Sequence, residues 1–356
     1  MKITFVIPGL NLTGGIRVVS IYAELLAKKG HTVTVVSPDQ RLPTLKEKIK
    51  SALKWKGYKF ESRFNQTFFL NANYKVNILD KHRPVVSEDV PPADIIIATF
   101  WNTAEWIVNF PESKGKKVYF IQHYEVHPWL PVERVKATLN LPYEKIVVSQ
   151  WIADTLLAMH GSNQVKVVSN GVDSQQFYAD KRGKQLKTTF GIMYSLRSYK
   201  GCHIAFKAFE KAKLVNPNIA LVAFGSEEPN EELPLPEGTK YYCLPKQTEL
   251  ASIYGMCDAW LFSSSTEGFG LPILEAMACR TPVIGTRCGA AEMLINNTNG
   301  FLVDINDSEA MSHAMCVVSN MSDEAWQEYS LSAYLTSTKY RWEDTVAMFE
   351  EALISI

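Results

Sequence analysis

Several common functional signatures are missing from this chain of 356 residues. No Asp-x-Asp triplet occurs, so the simplest carboxylate pair for bridging a metal to a phosphate is absent. The six cysteines all fall at Cys202 or later, with no Cys-x-x-Cys pair and no histidine placed to complete a zinc set. They read as thiols that mostly fill core space in a reduced, cytoplasmic protein. No apolar run approaches the roughly 18 residues that a spanning helix needs. The opening MKITFVIPGL lacks a basic segment followed by a small-residue cleavage site, so it reads as a strand and not as a secretion signal. The glycine turn behind it, GLNLTGG, is neither a G-x-G-x-x-G fingerprint nor a P-loop, which makes a dinucleotide oxidoreductase and a P-loop enzyme poor fits. Net charge is lacking too, with 37 basic against 37 acidic residues.

The charge is nevertheless unevenly placed. Residues 1–172 hold 22 Lys and Arg against 14 Asp and Glu, and the remainder holds 15 against 23. A basic half suits an anionic surface or acceptor; chance segregation of solvated charges is the competing reading. Apolar residues make up 46% and charged residues 21%, ordinary for a globular enzyme. The length exceeds what one core usually supports, so two domains of about 150 residues are expected.

The first 40 residues run strand, glycine turn, helix, strand. Val18, Val19, Tyr22, Leu25 and Leu26 recur at helical spacing, and Gly30 stands where a C-terminal cap belongs. Further buried-strand patterns follow at 94–100, 117–123, 145–149 and 165–170. After the polar stretch NGVDSQQFYADKRGKQLK, taken as the interdomain connection, the same grammar restarts with TTFGIMYS, IALVAFGS, KYYCLP, DAWLFSS, TPVIGT and GFLVD. Short Val- and Ile-rich runs alternating with helices predict two doubly wound parallel-sheet domains facing across a cleft. The expected bounds are 1–172, 173–338 and a final helix, 339–356, packing back toward the first domain. Trp342, Val346, Phe349 and Leu353 would form its docking face.

Residues 44–64 carry seven basic and two acidic residues around Leu45, Ile49 and Leu53 on one face, with Thr44 and Glu47 as a capping box. Such a segment suits an anionic membrane surface; a solvated edge helix is the competing reading.

The stretch SSSTEGFGLPILEAMACRTPVIGT, residues 263–286, carries the chemistry. Gly270 stands at the mouth of a helix and Pro272 in its first turn, where a missing amide hydrogen costs nothing. The amides and positive end of that helix favour an anion. Glu267 precedes the mouth, and Glu275, eight residues on, can accept bonds from vicinal hydroxyls such as those of ribose. A nucleoside diphosphate joined to a sugar has this shape. Cations to offset its charge are available in YSLRSYKG, where Arg197 and Lys200 lie between a strand and a helix. Gly14 and Gly15 open the first helix, where backbone can approach a ligand.

On these residues the chain resembles the retaining glycosyltransferases of family four, with the two-Rossmann-domain architecture called GT-B. The motifs are GGIRVVSIYAELLAKKGHTVTVVS, SNGVDSQQF, YSLRSYKG and, most specifically, EGFGLPILEAMACRTPVIGT. The resemblance implies that Glu275 holds the nucleotide ribose and Glu267 the donor sugar. Gly268, Phe269, Gly270 and Leu271 supply amides to sugar and phosphates, while Arg197 and Lys200 neutralise the departing diphosphate. Gly14 and Gly15 would close over phosphates or acceptor, and His123 would stand near the reactive face of the sugar. Two departures are visible. Ser195 occupies the position, five before Lys200, where the family usually has arginine, and CGAAE (288–292) stands where GGxPE is common.

The implied activity is transfer of a hexosyl or deoxyhexosyl group to an acceptor hydroxyl with retained configuration, in polysaccharide or glycan assembly. No metal cofactor and no nucleic acid are expected. The expected acceptor is a glycan or a lipid-linked one, and the expected location cytoplasmic, with 44–64 as the candidate contact to the inner membrane face. A nucleotide-sugar-binding regulatory protein and a hydrolase or epimerase remain as alternatives. The aromatic residues of 98–106 and 123–130 either line an acceptor site and stack on sugar rings or belong to the core.

Overall fold

The computed structural model describes residues 1–11, 13–39, 68–162 and 164–356. The segment 44–64 lies outside the described residues. The chain divides into two compact units, Met1–Val168 with Val346–Ile356, and Ser169–Thr345.

The first unit is built on a parallel sheet of strands β1 (Lys2–Val6), β2 (Thr32–Ser37), β3 (Lys75–Ile78), β4 (Ile95–Ala98), β5 (Lys116–Ile121), β6 (Glu144–Val147) and β7 (Val165–Val167). Their spatial order is β3-β2-β1-β4-β5-β6-β7. Ile95, Ile96, Ile97 and Ala98 are all buried, as expected of a strand covered on both faces. The edge strand β3 was not foreseen; KVNI mixes Asn77 into a short, half-exposed run that no periodicity separates from loop. Helices α1 (Gly14–Lys28), α2 (Trp101–Trp106), α3 (Val132–Leu139) and α4 (Gln150–His160) belong to this unit.

The second unit carries β8 (Thr188–Met193), β9 (Ile219–Gly225), β10 (Lys240–Cys243), β11 (Ala259–Phe262), β12 (Val283–Thr286) and β13 (Gly300–Val303), in the parallel order β10-β9-β8-β11-β12-β13. Helices α5 (Cys202–Val215), α6 (Leu250–Gly255), α7 (Leu271–Ala278), α8 (Ala291–Leu294), α9 (Ser308–Asn320) and α10 (Asp323–Ser337) flank it. The α5 face of Ala205, Phe206, Phe209 and Ala212 packs in one core with Phe190, Ile192, Met311 and Trp326. Helix α9 was not read from the sequence, although its signal exists: Asp307 caps it, accepting from the amides of Glu309 at 3.0 Å and Ala310 at 2.8 Å.

The polar stretch 170–187 is tied to the second unit. Phe177 is buried, and Arg182 binds Asp258 at 3.0 Å and the Gly255 carbonyl at 2.8 Å, which secures the stretch to the second unit. The final helix, α11, spans Trp342–Ile354, inside the expected 339–356 and separate from α10. Phe349 of α11 is fully buried and lies 4.3 Å from Tyr22 and 5.1 Å from Phe120, ring centre to ring centre. Trp342, Val346 and Leu353 are buried as well.

In each sheet the strand order reverses once, between β1 and β4 and between β8 and β11. The crevice beyond the carboxyl ends of such a strand pair is where open α/β sheets bind ligands.

Candidate functional site

In the second unit, the loops leaving β8 and β11 are tied together at that reversal point. The Ser265 amide donates to the Tyr199 carbonyl at 2.7 Å, and Ser263 Oγ donates to the Lys200 carbonyl at 2.9 Å. The approach is so close that Gly201, at φ +66°, would place a Cβ 1.9 Å from the Ser263 carbonyl oxygen. Only glycine satisfies both the backbone angle and the contact.

This stitching brings Lys200 to Glu267: the ammonium pairs with Oε1, which also accepts from Ser264 Oγ at 2.9 Å. Burial works against the Lys200 charge, yet the adjacent carboxylate outweighs it and raises the pKa. A shallow pocket lined by Lys200, Ser263, Ser264, Glu267 and Pro272 opens here.

From Glu267 the chain passes through Gly268 and Phe269 to Gly270, which enters α7 at φ +100° with Pro272 in the first turn. The Phe269 carbonyl accepts from the Ala290 amide at 2.7 Å, so the CGAAE turn supports the helix mouth. Glu275 lies on the next turn, buried, with Tyr254 Oη donating to its Oε2 at 2.8 Å. A carboxylate at that depth needs such partners, since burying it unpaired is costly. Tyr254 was not foreseen; it stands 21 residues from Glu275 on α6, and neither spacing nor motif links them. Arg197 does not join the pair. Its guanidinium is exposed and donates to Tyr199 Oη at 3.1 Å.

In the first unit, Gly14 and Gly15 open α1 after β1. Gln122, another residue sequence reasoning missed, faces Gly15 from the end of β5: a Cβ on Gly15 would lie 3.5 Å from its Oε1, a buried acceptor with no donor among the described residues. His123 follows. Its Nδ1 donates to the Tyr124 carbonyl at 3.1 Å. The His127 ring lies 4.9 Å from it and the Trp151 ring 6.5 Å. Among the described residues no group of three or more His, Cys, Asp and Glu forms a metal cluster, and no helix is long and apolar enough to cross a membrane.

Two family descriptions match nearly end to end: Glycosyltransferase Family 4 over residues 13–176 and Glycosyl transferases group 1 over residues 174–330. Similar curated proteins include the D-inositol 3-phosphate glycosyltransferase of Corynebacterium urealyticum, 28% identical over 54% of this chain and 51% of that protein. The N-acetyl-alpha-D-glucosaminyl L-malate synthase of Bacillus anthracis is 29% identical over 42% of this chain and 43% of its own. The chain thus spans about half the length of the curated relatives it matches. Anabaena HepE, solved with UDP-glucose, superposes at a TM-score of 0.77 with 16% identity and full coverage of both chains. The chain therefore belongs to the group 1 glycosyltransferases and has the α/β GT-B fold of two Rossmann-like domains.

Proposed function

We propose that the protein transfers a sugar from a nucleotide-sugar donor to an acceptor hydroxyl, with retention, without a metal, and in the assembly of a glycan or polysaccharide. The observation that carries this reading is the pairing of two carboxylates around one helix mouth: Glu267 before it, joined to Lys200, and Glu275 buried beyond it. That arrangement offers an acceptor group for each end of a donor and a cation with main-chain amides for its diphosphate. The similar proteins, which include a D-inositol 3-phosphate glycosyltransferase and a structure solved with UDP-glucose, support the substrate class.

In this reading the bond between the anomeric carbon and the diphosphate breaks as the acceptor oxygen bonds to that carbon on the same face. The acceptor proton passes to the departing phosphate oxygen. Lys200 and the mouth of α7 stabilise the negative charge that accumulates on the leaving group. Glu267 orients the sugar hydroxyls and Glu275 the ribose; the family resemblance assigns His123 to the reactive face of the sugar and Gly14 and Gly15 to phosphates or acceptor. Arg197 serves the diphosphate only after leaving Tyr199, so Lys200 carries most of this role.

A thermal-shift screen against UDP-, GDP-, ADP- and dTDP-sugars identifies the donor, because a ligand that binds only the native state raises the melting temperature. Product analysis by mass spectrometry and NMR then reads linkage and configuration. Nucleotide binding without product on any acceptor, or free sugar as the sole product, overturns transfer. Loss of turnover on adding a chelator overturns metal independence.

A further inference from the structure

Tyr254 of α6 is fully buried, and its hydroxyl donates to Glu275 Oε2 at 2.8 Å inside the second unit. The bond joins two helices that the sequence keeps apart, α6 before β11 and α7 after it. A phenylalanine would fill the same space without bringing a polar atom into the core, where such an atom is costly unless it is hydrogen-bonded. The bond to Glu275 supplies that partner.

The ring is held in place around this bond. Trp260 of β11 lies 4.4 Å away at 60°, Phe224 of β9 5.8 Å away at 86° and Phe177 6.0 Å away at 67°, ring centre to ring centre. Edge-to-face contacts at such distances fix the orientation of a ring as well as burying its area. The main chain is held too. Thr281 Oγ1 donates to the Tyr254 carbonyl at 2.8 Å, and the Thr281 amide donates to the Ala276 carbonyl at 2.9 Å, one residue from Glu275 on α7. A glutamate side chain has several torsions to restrain, and fixing them costs entropy. A carboxylate that must meet a ribose in one orientation therefore gains from a donor whose own place is already set.

We propose that Tyr254 is a positioning residue for donor binding: it fixes the Glu275 carboxylate for the ribose hydroxyls and so sets how strongly the enzyme selects a ribonucleotide. The proposal rests on the reading that gives Glu275 to the ribose. A carboxylate has about four acceptor sites, so the bond from Tyr254 is compatible with bonds from a ligand. Tyr254 acts through Glu275 alone. Losing its hydroxyl should therefore weaken ligands that carry ribose hydroxyls and spare those that lack them.

Tyr254→Phe keeps the ring and removes the donor. UDP, GDP and ADP, each beside its 2′,3′-dideoxy counterpart, are titrated by calorimetry into the full chain, and the preference for the ribose ligand is compared between wild type and variant. For the base that binds, the variant is expected to lower that preference about three- to tenfold, with the dideoxy ligand bound as in wild type. Donor KM should rise by the same factor with kcat within about twofold, because the ribose contact is the same in the ground and transition states. Tyr254→4-aminophenylalanine, which keeps a weaker donor at the same place, should give an intermediate preference, and either variant carries the test if the other does not fold. Equal weakening of both ligands, the mark of a merely structural tyrosine, overturns the proposal, and so does an unchanged preference. A wild type that binds the two ligands alike removes the ribose assignment of Glu275, and the proposal with it. Binding of none of the three nucleotides overturns selection of a ribonucleotide outright.

Discussion

Glu275→Gln tests the nucleotide site most directly. The carboxylate is buried and already holds the Tyr254 hydroxyl at 2.8 Å. In the proposal it also accepts from the ribose hydroxyls. A glutamine keeps the shape and gives Tyr254 a carbonyl oxygen to bond. It then turns an amide NH2, a donor, toward hydroxyls that had been donating. A hydrogen bond to a charged acceptor contributes about 1.5–3 kcal/mol, and about 1.4 kcal/mol is tenfold in affinity. The loss should therefore fall between about tenfold and a hundredfold in nucleoside diphosphate affinity, read by titration calorimetry at matched pH and salt. A 2′,3′-dideoxynucleoside diphosphate has no such hydroxyls and should bind wild type and variant alike. Equal losses for the two ligands, or a variant binding within about twofold of wild type, would refute the assignment of Glu275 to the ribose.

Lys200→Ala should lower kcat by about a hundred- to a thousandfold, whereas Arg197→Ala, which removes an exposed side chain bonded to Tyr199, should cost much less; equal losses would show that Arg197 shares the diphosphate fully. Gly201→Ala must adopt a left-handed backbone and push its Cβ into the Ser263 carbonyl, a cost of about 2–5 kcal/mol, so the melting temperature should fall by about 5–15 °C; a variant within about 1 °C of wild type contradicts the contact. Burial holds the Glu125 carboxyl well above the usual carboxylate range, although the Trp101 amide opposes this. The native state then keeps a proton that the unfolded chain releases, and stability falls as pH rises from the ordinary carboxylate range toward the raised value. Glu125→Gln removes the titration, so its melting temperature relative to wild type should improve from about pH 4 upward; a difference independent of pH would contradict the raised value.

The two sheets were legible because buried parallel strands read as short Val- and Ile-rich runs, and β4 and β11 follow that rule with every residue buried. Strand β3 and helix α9 were not read. The first is a partly polar edge, and the second carries its signal in one capping aspartate between two apolar stretches. At the site, positions along one chain were readable: Gly270, Pro272 and Glu275 fall where the motif puts them on α7. Pairings between distant segments were not. Tyr254 with Glu275 and Gln122 with Gly15 depend on which segments the fold brings together, and no local pattern records that.

The Lys200–Glu267 pair shows why such pairings decide the chemistry. Both groups sit at the strand reversal between β8 and β11, where the contact between Gly201 and Ser263 holds their loops together. Burial works against the Lys200 charge, and the Glu267 carboxylate is the main group that outweighs it and holds the pKa above the ordinary lysine value. The carboxylate assigned to the donor sugar therefore also maintains the cation assigned to the leaving group. Effects of groups that act as a unit are not additive, so alanine at Glu267 removes a sugar contact and weakens the phosphate contact together. The separate contributions can be read only from a double-substitution cycle with Lys200, and a single substitution at either position overstates what that side chain does alone.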